Sequence, residues 1–101
     1  MPDKAWKAFE REIAKRLGGQ RAGPLGREGP DVLHPLWAPE CKMRKKLPRL
    51  LTEAMDQAVT NTPPGKIPLV ILHQAHDEYD QALVVMRLRD FEDWFVGENE
   101  L

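Results

Sequence analysis

The chain has 101 residues, 42% apolar and 31% charged, a balance that fits one folded domain with a single core and excludes a disordered chain. Its longest apolar run, Leu69 to Leu72, is far too short to span a bilayer, and the opening MPDKAWKAFE does not read as a basic-then-apolar leader. The one cysteine, Cys41, excludes an internal disulfide and fits a reducing, cytoplasmic setting. The net charge of −1 hides an asymmetry: residues 1–50 hold 12 Lys+Arg against 6 Asp+Glu, and residues 51–101 hold 3 against 10.

The basic first half is a candidate surface for an anionic partner, nucleic acid above all, or else the solvated positive end of a dipolar domain. Along the chain, Trp6, Phe9, Ile13 and Leu17 recur at helical spacing over residues 4–17, and Gly18-Gly19 stops that helix. The stretch QRAGPLGREGP, residues 20–30, reads as a mobile basic loop carrying Arg21 and Arg27, with a short strand near Gln20 to Ala22. A β-hairpin is expected next, from residues 31–34 and 37–43 around Pro35-Leu36. Pro48 is placed to open a second helix that runs to about residue 61, with Leu50, Leu51, Ala54, Met55 and Ala58 as its apolar stripe. IPLVILHQ and QALVVMRL read as strands joined by the polar turn AHDEYD, and Asp90 as the N-cap of a last helix, FEDWFVGE. The apolar continuity of residues 69–72 and 83–86 predicts strands buried on both faces, hence a central mixed sheet flanked by helices in an α/β domain of order αβ(β)βαββα.

Several acids in the first half sit where carboxylates are costly. On the first helix, at about 100° per residue, Glu10 falls about 40° from Trp6 and inside the apolar stripe, so it must be paired, protonated or bound to a cation. Lys4, Arg11 and Lys15 share the opposite flank, facing solvent or phosphate. In the expected hairpin Asp31 lies opposite Glu40, roughly 5 Å away on one face. Alternation puts Lys42 on the face of Glu40, and Trp37 and Cys41 on the other. Pro39 cannot donate to a ladder, so the strand is expected to kink just before Glu40. Carboxylates held close are destabilising without a cation between them, and a few hard oxygens with open water positions suit Mg²⁺ or Mn²⁺. The plain alternative is that Asp31 ends a turn, Glu40 and Lys42 pair on an exposed face, and Glu10 borders the stripe.

These residues resemble a known family. Gly29-Pro30-Asp31 followed by Glu40-Cys41-Lys42, after a helix carrying Phe9-Glu10-Arg11-Glu12, is similar to the PD-(D/E)xK nuclease superfamily, and closest in size and element order to archaeal-type and phage Holliday junction resolvases. The resemblance covers about residues 4–90, with its motif residues in the first half. It implies a restriction-endonuclease-like fold in one domain, residues 1–101, and a metal-dependent DNA endonuclease that resolves four-way junctions by phosphodiester hydrolysis. It implies catalytic Glu10, Asp31, Glu40 and Lys42, with Mg²⁺, for which Mn²⁺ can substitute, held by Asp31, Glu40, Glu10 and the Cys41 carbonyl. It implies DNA contacts from Arg11 and Arg21, to which the basic positions Lys4, Arg27, Arg44, Lys45 and Lys46 are added on charge and placement. It also implies a homodimer, since symmetric cutting of two strands needs two copies, in the cytoplasm of a prokaryote or a phage-infected host. Three features depart from the resolvases: QRAGPLGREG has no Ser or Thr before the Asp, the gap from Asp31 to Glu40 is short, and the net charge of −1 is less basic than a junction binder's. A nuclease for flaps, mismatches or a specific duplex sequence, or a DNA-binding module without turnover, fits the same residues. Gln57 on the second helix, and His34, His73 and His76, read as solvated, turn or strand-end residues. Phe91, Trp94 and Phe95 read as the apolar side of the last helix or as a dimer contact.

Overall fold

The computed structural model describes residues 4–23 and 29–96. It is a small α/β protein with three helices and two antiparallel two-stranded ribbons among those residues. The described residues divide into two compact units, one on residues 4–45 and one on residues 46–96. No helix among the described residues is long and apolar enough to cross a membrane.

In the first unit, α1 spans Ala5–Leu17 and closes as the glycine pair predicts. Gly18 takes the left-handed conformation at φ 79°, and the Gly19 amide reaches back to the Ala14 carbonyl at 2.8 Å, so two otherwise orphaned carbonyl groups near the helix end find donors. The turn delivers the chain into β1, Gln20–Arg21, which pairs antiparallel with β2, Val32–Leu33, in the register Gln20↔Leu33 and Arg21↔Val32. Ala14, Leu17 and the fully buried Val32 form the core between helix and ribbon, and burying Val32 contributes about 2 kcal/mol. Gly19 is held by close approach: a Cβ there would lie 2.4 Å from the Leu33 carbonyl oxygen.

The expected hairpin of residues 31–34 with 37–43 is replaced. β2 takes β1 as its partner, and residues 37–44 form no strand. One main-chain bond joins the two arms, Asp31 N–H to the Pro39 carbonyl at 2.9 Å. The proline at 39 has no amide to extend the ladder, and the turn before it is closed by a side chain: His34 Nδ1 accepts from the amides of Leu36 and Trp37 at 3.0 and 3.1 Å. Residues 24–28 of the expected basic loop, with Arg27, lie outside the described residues.

In the second unit, Pro48 precedes α2, Arg49–Thr60, at a position where its missing amide costs nothing. β3, Val70–Leu72, pairs antiparallel with β4, Leu83–Val85. Val70 is buried opposite Val85 while the adjacent pair, Ile71 and Val84, is 58% and 62% exposed, so the ribbon has one covered and one open face rather than two buried faces. Here α2 packs against β3. Two separate ribbons thus stand, among the described residues, in place of the expected single mixed sheet. The last helix, α3 at Leu88–Phe91, starts earlier than predicted, with Arg87 as its N-cap; Asp90 lies inside its first turn, where a carboxylate complements the helix dipole. It runs on through a π turn, Glu92–Val96. Phe91, Trp94 and Phe95 line an open groove of about 510 Å³ with Leu69, Val84 and Met86.

Candidate active site

Glu10 leaves α1 on its half-buried side, as the helical angles require, and its partner is a protein cation. Arg21 Nε of β1 donates to Glu10 Oε1 at 2.8 Å, and the two side chains are only 17% and 16% exposed. The Arg21 guanidinium also lies over the Trp6 ring, with Cζ 5.7 Å from the ring centre. Of the three fates open to a carboxylate in that stripe, pairing is the observed one.

Asp31 immediately precedes β2. Its Oδ2 accepts the Cys41 amide at 2.6 Å, a charge-assisted bond worth about 1.5–3 kcal/mol. The bond draws Gly29-Pro30-Asp31 up against Glu40-Cys41-Lys42 without any strand at 40–42. Glu40 Oε2 and Lys42 Nζ pair at 3.2 Å, with side chains 59% and 66% exposed. An exposed pair of this kind contributes less than about 1 kcal/mol, so Glu40 can turn away at little cost, whereas parting the shielded Glu10 from Arg21 leaves an uncompensated charge.

Burial pushes the Cys41 thiol above the ordinary range, and the charges of Asp31, Glu10 and Glu40, in that order, push it further. The donor chemistry, carboxylates with a backbone carbonyl, is right for a hard dication. The geometry is not: among the described residues no group of three or more His, Cys, Asp or Glu is gathered so that it could hold a metal ion. Glu10 is drawn to Arg21 and Glu40 to Lys42.

Lys4 is exposed at the start of α1 and Arg11 on its surface, and Lys45 and Lys46 are exposed in the segment before α2. Arg44 is exposed, with Nη1 on the Met43 carbonyl at 2.9 Å. Arg21 is turned inward to Glu10. His73 follows β3 with Nε2 3.2 Å from the Asp77 carbonyl, and His76 sits in the following turn at φ 75°, so with the turn-closing His34 all three histidines are turn or strand-end residues. Gln57 is exposed on α2.

Sequence reasoning missed two things here: the stacking of Trp6 on Arg21, and the Cys41 amide as the partner of Asp31. Trp6 and Glu10 fall on one side of the same helix, which was a signal for the first; nothing local marked the second. Comparisons of the chain with family models, curated proteins and solved structures find no match.

Proposed function

We propose that this protein is a Mg²⁺-dependent DNA endonuclease of the PD-(D/E)xK type, acting as a homodimer on four-way junctions. The observation that supports it best is the bond from the Cys41 amide to Asp31, which sets the carboxylate of the Gly-Pro-Asp turn beside Glu-Cys-Lys, where Glu10 also acts on the Cys41 thiol. The reaction is hydrolysis: water adds to phosphorus, the bond to the leaving oxygen breaks, and that oxygen takes a proton. Lys42, an exposed side chain paired with Glu40, would offset charge that develops on the phosphate. Asp31 and the Cys41 backbone would fix the geometry around it, and Lys45 and Lys46 would hold the DNA backbone. The order of elements, helix, two strands, helix, two strands, helix, supports the restriction-endonuclease-like fold within this reading. The exposed Trp94 and Phe95 supply apolar surface for a contact between two copies.

A second reading is favoured by the two ion pairs. Glu10 and Glu40 each have a protein cation, which is what a DNA-binding module without turnover would show. One experiment separates them. A labelled synthetic four-way junction, a flap and a linear duplex are incubated with and without Mg²⁺ and run on a denaturing gel, using wild type and Asp31→Asn, Glu40→Gln and Lys42→Ala. Cutting of the junction by wild type alone, only with Mg²⁺, is the expected result. Preferential cutting of the flap or the duplex moves the substrate, and no divalent-dependent cutting of any DNA leaves the binding module.

A further inference from the structure

The turn between Gly29-Pro30-Asp31 and Glu40-Cys41-Lys42 hangs on one lone pair. His34 Nδ1 accepts from the main-chain amides of Leu36 at 3.0 Å and Trp37 at 3.1 Å. A ring nitrogen that faces two N–H donors carries no hydrogen of its own, so this imidazole is neutral and its hydrogen is on Nε2. The protonated ring has an N–H at both nitrogens and accepts nothing. We propose that His34 is a pH-sensitive catch: uptake of a proton at Nδ1 sets an N–H against the two amides, opens the turn and loosens the tie between Asp31 and Cys41 that spans it. The catch depends on the turn alone, whatever the chain does to DNA.

The two arms have little else to hold them in place. No strand forms over residues 37–44. Beyond the turn, the Asp31 amide donates to the Pro39 carbonyl at 2.9 Å, and Asp31 Oδ2 accepts the Cys41 amide at 2.6 Å. Both bonds close the same loop, so a turn that already brings its ends together strengthens each of them. The acids carried by the two arms and by the inward side of α1 have partners of their own: Asp31 the Cys41 amide, Glu40 the Lys42 ammonium, and Glu10 the Arg21 guanidinium. The fold therefore uses the neutral ring and does not reward the charged one. Stability from the catch is complete at alkaline pH and is lost as pH falls through the range in which an imidazole takes up its proton, around pH 6.5.

The test uses the full chain and the variant His34→Asn. The asparagine Oδ1 sits the same number of bonds from the main chain as Nδ1, accepts from the same two amides and does not titrate. Between about pH 8 and about pH 5, the folding equilibrium constant from urea unfolding should fall about tenfold further for wild type than for His34→Asn, the scale of the lost amide hydrogen bonds. His73 and His76 titrate in both proteins and cancel in the comparison. Nitrogen–proton NMR of wild type supplies a readout that needs no variant. Nδ1 should be bare at about pH 8, and the Trp37 and Cys41 amide resonances should move together as His34 takes up its proton. An equal pH response in the two proteins, a hydrogen on Nδ1 at alkaline pH, or a Cys41 amide that stays put while His34 titrates each overturns the catch.

Discussion

Asp31 Oδ2 accepts the backbone amide of Cys41 at 2.6 Å, and this one bond ties together two motifs that lie ten positions apart in the chain. A structural acceptor and a reactive carboxylate can be told apart at this site. Asparagine keeps an oxygen for the amide but carries no charge. Asp31→Asn is expected to hold stability within about 1 kcal/mol of wild type and to abolish Mg²⁺-dependent cutting. Asp31→Ala should lose cutting and also about 1–3 kcal/mol, by stranding the amide. Urea unfolding alongside the cleavage gel reads both, and an active Asp31→Asn would remove Asp31 from the chemistry.

The Cys41 thiol is held protonated by burial first and by its acidic neighbours second. Alkylation by iodoacetamide should therefore be slower at pH 8 than for a free thiol peptide, because the thiolate is the reacting form. Asp31→Asn should speed it only partly, since burial remains. The folded-state value is raised, so the associated stability is fully present below the thiol's ordinary pKa and is lost as pH rises through the folded-state value. Cys41→Ser should flatten that alkaline loss in urea midpoints measured across the range.

Gly19 leaves no room for a side chain. An added Cβ would come within 2.4 Å of the Leu33 carbonyl oxygen and 2.9 Å of Val32 Cγ1, next to the most buried side chain of the first unit. Gly19→Ala is expected to cost about 1–3 kcal/mol by pushing β2 off β1. Loss of amide-exchange protection at Arg21 and Val32 would locate the damage, and an unchanged melting temperature would contradict it.

Lys45 and Lys46 are exposed in the stretch of chain that leads from Lys42 to α2. If they clamp phosphates, Lys45→Gln and Lys46→Gln should each weaken junction binding and lower the slope of log affinity against log salt by about one unit. A slope equal to that of wild type excludes the residue from the DNA contact.

What could be read in advance is local. Trp6, Phe9, Ile13 and Leu17 with Gly18-Gly19 specify α1 and its end, Pro48 sets the start of α2, and two apolar runs around a polar turn specify the β3–β4 ribbon. The inward place of Glu10 was also legible, since it follows from the angle between residues on one helix. Where several partners compete, the pattern fell silent. Asp31 to Leu33 had an adjacent arm available yet paired with Gln20 and Arg21, because Pro39 withholds an amide and Gly19 lets β1 approach.

The sequence by itself determined α1 with its glycine stop and the start of α2 after Pro48, because those depend on neighbours within a few residues. Only the tertiary structure decided which cation each acid meets: Arg21 for Glu10, Lys42 for Glu40, and a main-chain amide for Asp31. The reason is that charges select partners by distance and shielding in the folded chain, and those quantities arise only once β1, β2 and α1 have packed.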